Sequence, residues 1–180
     1  VTADGLMEKL GIQKRVLDLL KKNNVEAVVY DKVTPNPMRK YVMEAKEIAK
    51  KEGCDFFIGL GGGSSIDTAK ATSVMLLNEG DLWDYAYAGT GGRKEIKVAA
   101  PVMTITTTCG TGTETDPYCV ITNEETNEKL EKVCCASSGD PDAFRTLYGL
   151  RKEADGKQTR SGDTGTDRRC TDRNGRAADK

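Results

Sequence analysis

One stretch of the sequence combines glycine and hydroxyl residues in a pattern suited to a phosphate group. It reads GLGGGSSIDTAK and contains three consecutive glycines, Gly61, Gly62 and Gly63. Consecutive glycines let the backbone approach a ligand closely and adopt positive φ angles. Ser64 or Ser65 could cap a following helix, and the free amides and dipole at a helix N-terminus suit a pyrophosphate. The pattern therefore predicts either a pyrophosphate-binding turn or a tight turn without a ligand.

Two carboxylates could act with this turn. The stretch does not contain the G-x-x-x-x-G-K-[ST] pattern of a P-loop, and it is not the G-x-G-x-x-G fingerprint that follows a first strand. Asp67 lies in the predicted helix, where it could interact with the helix dipole. Asp31 closes a predicted strand, where a carboxylate can hydrogen-bond a ribose 2′-hydroxyl and repel a 2′-phosphate. This position predicts a preference for NAD over NADP, although a solvated surface aspartate is the simpler alternative.

A threonine-rich stretch from residue 104 to 114 reads TITTTCGTGTE and follows a predicted strand. Its hydroxyls and backbone amides, including those of Thr107, Thr108 and Thr111, could line a nucleotide pocket. A polar turn is the alternative. Cys109 lies inside the stretch, but no histidine could activate it, so we do not expect it to be a nucleophile.

The composition excludes several functions. The chain has 180 residues, a net charge of -1 and no histidine, which removes the usual general base and the commonest transition-metal ligand. A near-neutral charge gives no reason to expect a nucleic-acid or membrane partner. The six cysteines are unevenly spaced and include no C-x-x-C, so we expect reduced thiols in a cytoplasmic protein. No signal peptide is visible at the N-terminus.

Helix-type and strand-type patterns alternate along the first part of the chain, which predicts an α/β fold with a parallel sheet. Helices are predicted over residues 6–22, 39–51 and 66–77, and strands over 25–30, 54–60, 98–106 and 118–122. The first helix should be interrupted near Gly11. A further strand should precede residue 6, where only a few residues remain, so the sequence predicts that this first strand is clipped.

The composition changes near residue 139. From residue 151 to 180 there is no Ile, Leu, Val, Met, Phe, Tyr or Trp, and arginine replaces lysine as the main basic residue. Such a segment cannot bury enough apolar surface to offset the entropy of ordering it. We expect a dinucleotide-binding domain over 1–135 and a tail over 139–180. The tail is either a frameshift product or a natural disordered segment.

Five motifs, taken together, resemble the iron-containing (group III) alcohol dehydrogenases. In order along residues 1–132, they are Asp31 with VTPNP, GGGSSIDTAK, GDLWDY, TTTCGTGTE and VITNEETNEK. The resemblance implies a Rossmann-like N-terminal domain, with the family's helical metal-binding domain missing. It further implies that the GGGS turn holds the cofactor pyrophosphate and that Asp31 lies at the adenosine ribose. Thr107, Thr108, Thr111 and Lys129 would line the cofactor cleft, with Asp67 towards the nicotinamide. Cys109 replaces the small residue that is more common there.

The resemblance also implies an activity: hydride transfer between a primary or short-chain alcohol and NAD, with NADP possible. The family's Fe²⁺ or Zn²⁺ is held by one aspartate and three histidines, and this chain has no histidine. We therefore expect no catalytic residues and no metal ligands here, and a chain that binds cofactor only. A non-catalytic nucleotide-binding module and a relative of glycerol dehydrogenase or dehydroquinate synthase are the alternatives. The intact parent could be a homo-oligomer.

Overall fold

A parallel sheet of three strands forms the centre of the computed structural model, which describes residues 1–134 and the side chains of residues 1–129. The strands are β1 (Thr2–Ala3), β2 (Phe57–Gly61) and β3 (Val102–Thr106), hydrogen-bonded in that order. Gly59 is paired with Thr2 on one side and with Thr104 on the other. The parallel α/β architecture predicted from the alternating pattern is confirmed.

Four helices connect and cover the strands. They are α1 (Gly5–Lys9), α2 (Ile12–Lys22), α3 (Arg39–Lys51) and α4 (Gly63–Leu77). The predicted interruption of the first helix is confirmed, because Gly11 separates α1 from α2 with a φ of 71°. This left-handed conformation is one that glycine adopts without a steric penalty.

The strand predicted over residues 25–30 is the main departure from the expected elements. Only Tyr30 forms a bridge, a parallel one to Thr2. The Ala3 amide donates to the Tyr30 carbonyl at 2.9 Å, and the Tyr30 amide donates to the Val1 carbonyl at 2.8 Å. The prediction of a full strand was wrong because β1 offers only two residues to pair with. The segment nevertheless lies beside β1, on the side away from β2.

Helix α4 is the most buried helix of the described chain, with every residue from Ser65 to Met75 buried. A helix that is buried all round belongs inside a fold. It packs against β2 through Gly59, where an added Cβ would lie 2.8 Å from the Ile66 Cα. It begins at Gly63, three residues earlier than predicted, so the glycine-rich stretch itself forms its first turn.

A hairpin of β4 (Tyr118–Asn123) and β5 (Glu128–Cys134) packs on the other side of α4. It is joined to the start of α3 by a parallel bridge between Met38 and Thr122. Arg39 also contacts both the aspartate that caps the 3₁₀ helix Leu82–Tyr85 and the hairpin turn. The hairpin and the loop before α3 are thereby held together.

The tail predicted over residues 139–180 lies outside the described residues. Within the described part of the chain, no helix is long and apolar enough to cross a membrane.

Candidate functional site

The glycine turn lies at the point in the sheet where successive segments of the chain pair on opposite sides of β1. The Tyr30 segment lies on one side of β1, whereas β2 lies on the other. In open parallel sheets, a crevice for ligands forms at the carboxyl ends of the strands at such a switch point. Both β1 and β2 end here and are followed by helices α1 and α4.

Gly61 gives the turn its shape. Its φ is +134°, a conformation that side-chain-bearing residues rarely adopt, and an added Cβ would lie 2.9 Å from the Ser65 Oγ. The chain can therefore leave β2 and enter α4 without a side chain in between. This keeps the backbone of the turn open to a ligand.

The N-terminus of α4 carries no side-chain cap. Gly62 occupies the N-cap position, and no side-chain hydrogen bond caps the helix. The predicted capping role of Ser64 or Ser65 was wrong, because both serines lie inside the first helical turn. The Ser65 hydroxyl is buried and has no hydrogen-bond partner among the described residues. First-turn amides that no side chain caps can bind an anion.

The threonine-rich loop, within residues 104–114, lies against the glycine turn. The Thr107 amide donates to the Gly61 carbonyl at 2.9 Å. The Thr108 side chain lies 3.5 Å from the position of a Cβ on Gly62. Thr111 and Thr113 lie 3.8 and 3.1 Å from the equivalent position on Gly63. Three predicted site residues, Thr107, Thr108 and Thr111, are thus brought to the glycine turn.

Asp67 lies in the second turn of α4 and is only 7% exposed. Burial raises the pKa of this carboxyl to about 7, against the opposing effects of the Val120 amide, Lys70 and Lys129. The Val120 amide donates to Asp67 Oδ2 at 3.2 Å. Asp67 therefore joins the glycine-turn helix to β4, and its charge changes near neutral pH.

Lys129 lies at the start of β5. Its Nζ donates to Asn36 Oδ1 at 2.9 Å, and its charge acts on Asp67. Asn36 has a φ of 57°, which is uncommon for a residue other than glycine. The VTPNP motif and the hairpin, far apart in sequence, meet at this contact.

Asp31 lies beyond β1, on the side away from β2. It is exposed and directly follows Tyr30, which pairs with β1. It is therefore two strand spacings from β2, about 10 Å across the sheet.

Asp4, at the end of β1, lies closer to the glycine turn: its Oδ2 is 3.4 Å from the position of a Cβ on Gly61. Asp4 Oδ1 accepts hydrogen bonds from the Leu6 and Met7 amides.

Several residues at the site were not singled out from the sequence. They are Asp4, Asn36, Lys70 and Thr113. A lysine in an otherwise small and apolar helix, and an asparagine between two prolines, were the available signals for Lys70 and Asn36. Thr113 belongs to the threonine-rich stretch, which was the available signal for it. Asp4 carried no such signal, because its position beside Gly61 depends on contacts between distant segments.

Residues 1–137 match the family model described as iron-containing alcohol dehydrogenase. The chain is 42% identical over 131 residues to choline dehydrogenase of Bacillus subtilis, covering 72% of this chain and 32% of that protein. It is 35% identical over 155 residues to alcohol dehydrogenase 4 of Schizosaccharomyces pombe, covering 83% and 35%. The chain thus spans about one third of the length of these curated relatives.

The fold is similar to a solved structure, the NADH-dependent butanol dehydrogenase A of Thermotoga maritima. The TM-score is 0.70 with 39% identity, over 80% of this chain and 34% of that one. This likeness confirms the Rossmann-like architecture.

Proposed function

The chain belongs to the iron-containing alcohol dehydrogenase family, and we propose that its described part binds the nicotinamide dinucleotide of an alcohol dehydrogenase. The observation that carries this proposal is the uncapped N-terminus of α4 behind the Gly61 turn, covered by the threonine-rich loop. A pyrophosphate at this position would accept hydrogen bonds from the first-turn amides and be favoured by the helix dipole.

We assign roles to the surrounding residues on the same basis. Thr107, Thr108 and Thr111 would line the cleft beside the pyrophosphate. Lys129 and Asp67 would lie towards the nicotinamide, and Asp31 towards the adenosine ribose. The Thr107 contact with Gly61 supports the first assignment, and the electrostatic interaction of Lys129 with Asp67 supports the second.

The reaction proposed for the whole protein is hydride transfer between a primary or short-chain alcohol and NAD. The matched structure is an NADH-dependent butanol dehydrogenase, and a third curated relative is a 1,3-propanediol dehydrogenase of Citrobacter freundii. These names support a small alcohol or aldehyde as the substrate class. They also favour the alcohol dehydrogenase branch over a glycerol dehydrogenase or dehydroquinate synthase relative.

The family's metal does not fit the residues present. The implied ligand set needs three histidines, and the 180-residue chain contains none. Among the described residues, no group of three or more His, Cys, Asp or Glu side chains could hold an ion. We therefore propose that these 180 residues bind cofactor and do not transfer hydride, which favours the non-catalytic module as a description of this chain.

Titration of the 180-residue chain against NADH, followed by cofactor fluorescence, tests the proposed binding. A Ser64→Asp variant should weaken binding by at least about tenfold, because a carboxylate in the first turn suits the helix dipole but repels pyrophosphate. Ser64→Ala is the neutral control and should bind almost as well as the unmodified chain. Equal affinity in the aspartate and alanine variants would exclude a pyrophosphate at this turn.

A second assay tests the absence of turnover. Reduction of NAD in the presence of butan-1-ol and added Fe²⁺ or Zn²⁺ should stay at the level of the protein-free control. Metal-dependent NADH formation by the chain alone would contradict the binding-only assignment.

A further inference from the structure

Lys70 is a fully buried lysine in the middle of α4, with 0% of its surface exposed. Lysine is almost never buried completely unless its ammonium group is paired. Removing a cation from water is costly unless hydrogen bonds compensate for it. The buried ammonium group of Lys70 therefore requires hydrogen-bond acceptors around it.

The partners come from one short segment outside the helix. Lys70 Nζ donates to the carbonyl oxygens of Thr113 at 2.5 Å, Asp116 at 2.6 Å and Tyr118 at 2.8 Å. Asp116 Oδ1 lies 3.2 Å away. An ammonium group has three donors, so these four oxygens are enough to accept all of them. One side chain thus fixes the backbone of residues 113–118.

The same segment ends the threonine-rich loop. Thr113 Oγ1 lies 3.1 Å from the position of a Cβ on Gly63, the first residue of α4. The loop is attached to the glycine turn at its other end by the Thr107 amide. Lys70 therefore fixes the far end of a loop whose near end already contacts Gly61.

We propose that Lys70 is a positioning residue for the cofactor site: it holds the threonine-rich loop against the glycine turn from within α4. This inference rests on the proposed cofactor binding at the turn. Lys70 is not proposed to contact the ligand, since its ammonium group donates to three backbone carbonyls and to the Asp116 carboxylate. It acts by setting where Thr107, Thr108 and Thr111 lie relative to the first turn of α4.

A second contact from the same helix continues this arrangement. Asp67, one turn before Lys70, accepts the Val120 amide and so holds the chain just beyond the segment that Lys70 fixes. Helix α4 thereby orders the chain from Thr113 to Val120 through two side chains on one face. The helix that presents its N-terminus to the ligand also orders the loop that covers the ligand.

A purely structural lysine would predict a different outcome. If Lys70 only satisfied buried carbonyls, its loss would lower global stability as any core substitution in α4 does. If it positions the loop, its loss should free residues 107–118 locally and weaken cofactor binding more than the stability change accounts for. Met75, also fully buried in α4 but within the apolar core, provides the matched control.

The experiment compares Lys70→Met and Met75→Ala in the full chain, at a temperature where circular dichroism shows both to be folded. We expect Lys70→Met to raise the NADH dissociation constant by at least about tenfold, and Met75→Ala by less than about twofold. Amide hydrogen exchange should be faster over residues 107–118 in Lys70→Met only. Equal effects of the two variants on affinity and on loop exchange would overturn the proposal.

Asp116→Ala gives a second, milder variant, because this side chain is 44% exposed and supplies one of the four oxygens. It should accelerate exchange in the same loop by a smaller factor. If Lys70→Met does not fold, unchanged loop exchange in Asp116→Ala overturns the proposal. Failure of the unmodified chain to bind NADH would refute the proposed function, while the exchange comparison would still decide whether Lys70 positions the loop.

Discussion

The Thr107 amide donates to the Gly61 carbonyl across 2.9 Å, joining the loop after β3 to the turn after β2. Because β2 and β3 are parallel neighbours, their carboxyl ends lie side by side. The contact extends the pairing of the two strands by one hydrogen bond beyond the sheet. It places the threonine-rich loop directly beside the start of α4.

Replacing Gly61 by alanine should damage both stability and cofactor binding. The alanine would have to adopt a φ of +134°, and its Cβ would lie 2.9 Å from the Ser65 Oγ. Gly11→Ala is the matched control, because Gly11 also has a positive φ, +71°, but has no atom within 4 Å of its Cβ position. We expect backbone strain of about 1 kcal/mol in Gly11→Ala and up to about 3 kcal/mol in Gly61→Ala, because its φ lies outside the left-handed helical region. Only Gly61→Ala should also weaken NADH binding in a fluorescence titration, and equal affinities would contradict the role of this turn.

Asp67 should make the stability of the protein depend on pH. Its pKa is about 7 in the folded chain, against 3.8 as the reference value. Because its pKa is raised on folding, Asp67 contributes fully to the stability of the folded chain below its pKa in the unfolded chain. That contribution is lost as the pH rises towards and through its pKa in the folded chain. Between about pH 4 and 7, the free energy of unfolding should therefore fall by up to about 1.4 kcal/mol per pH unit from this group.

The measurement is urea unfolding of the wild-type chain and Asp67→Asn at several values between pH 5 and 8. Other titrating groups are common to both chains, so the difference between their unfolding free energies isolates Asp67. As the pH rises, the free energy of unfolding of the wild-type chain should fall relative to that of Asp67→Asn. A difference that stays constant from pH 5 to 7 would show that Asp67 does not titrate there.

Asp31→Ser should reduce the preference for NADH over NADPH by about tenfold or more, because it removes a charge that would repel a 2′-phosphate. Relative dissociation constants for the two cofactors measure this effect. Asp4→Ser is the informative comparison, since Asp4 lies closer to Gly61 and serine preserves the N-cap of α1. If only the Asp4 variant loses the preference, the ribose contact belongs to Asp4 and the assignment of Asp31 is wrong.

Arg39→Met should destabilise the fold by about 1–3 kcal/mol, because the arginine makes charge-assisted bonds to two separate elements. Its guanidinium donates to both carboxylate oxygens of Asp81, at 2.6 and 2.7 Å, and to Glu125 at 3.1 Å. Thermal unfolding measures the loss. Lys14→Met is the control, because Lys14 pairs with Asp18 on the exposed face of α2 and should contribute less than about 0.5 kcal/mol. Similar losses in the two variants would contradict the role of Arg39.

The sequence predicted the elements well where the pattern was local. The helix over 39–51 was predicted with the bounds that the structure has, and Gly11 interrupts the first helix as expected. The strand over 25–30 failed because its formation depends on how much of β1 is available to pair, which the residues of the segment itself do not encode. The serines of the glycine-rich stretch were misplaced as caps because the exact start of a helix depends on the turn before it.

By itself, the sequence determined the α/β alternation, the glycine-rich turn between a strand and a helix, and the absence of histidine. Each of these follows from residue types and from periodicity within one segment. Only the tertiary structure decided that Thr107 contacts Gly61, that Lys70 is enclosed by residues 113–118, and that Lys129 reaches Asn36. These contacts join segments up to 93 residues apart, and the packing of the sheet and α4 brings such segments together whereas local propensity does not.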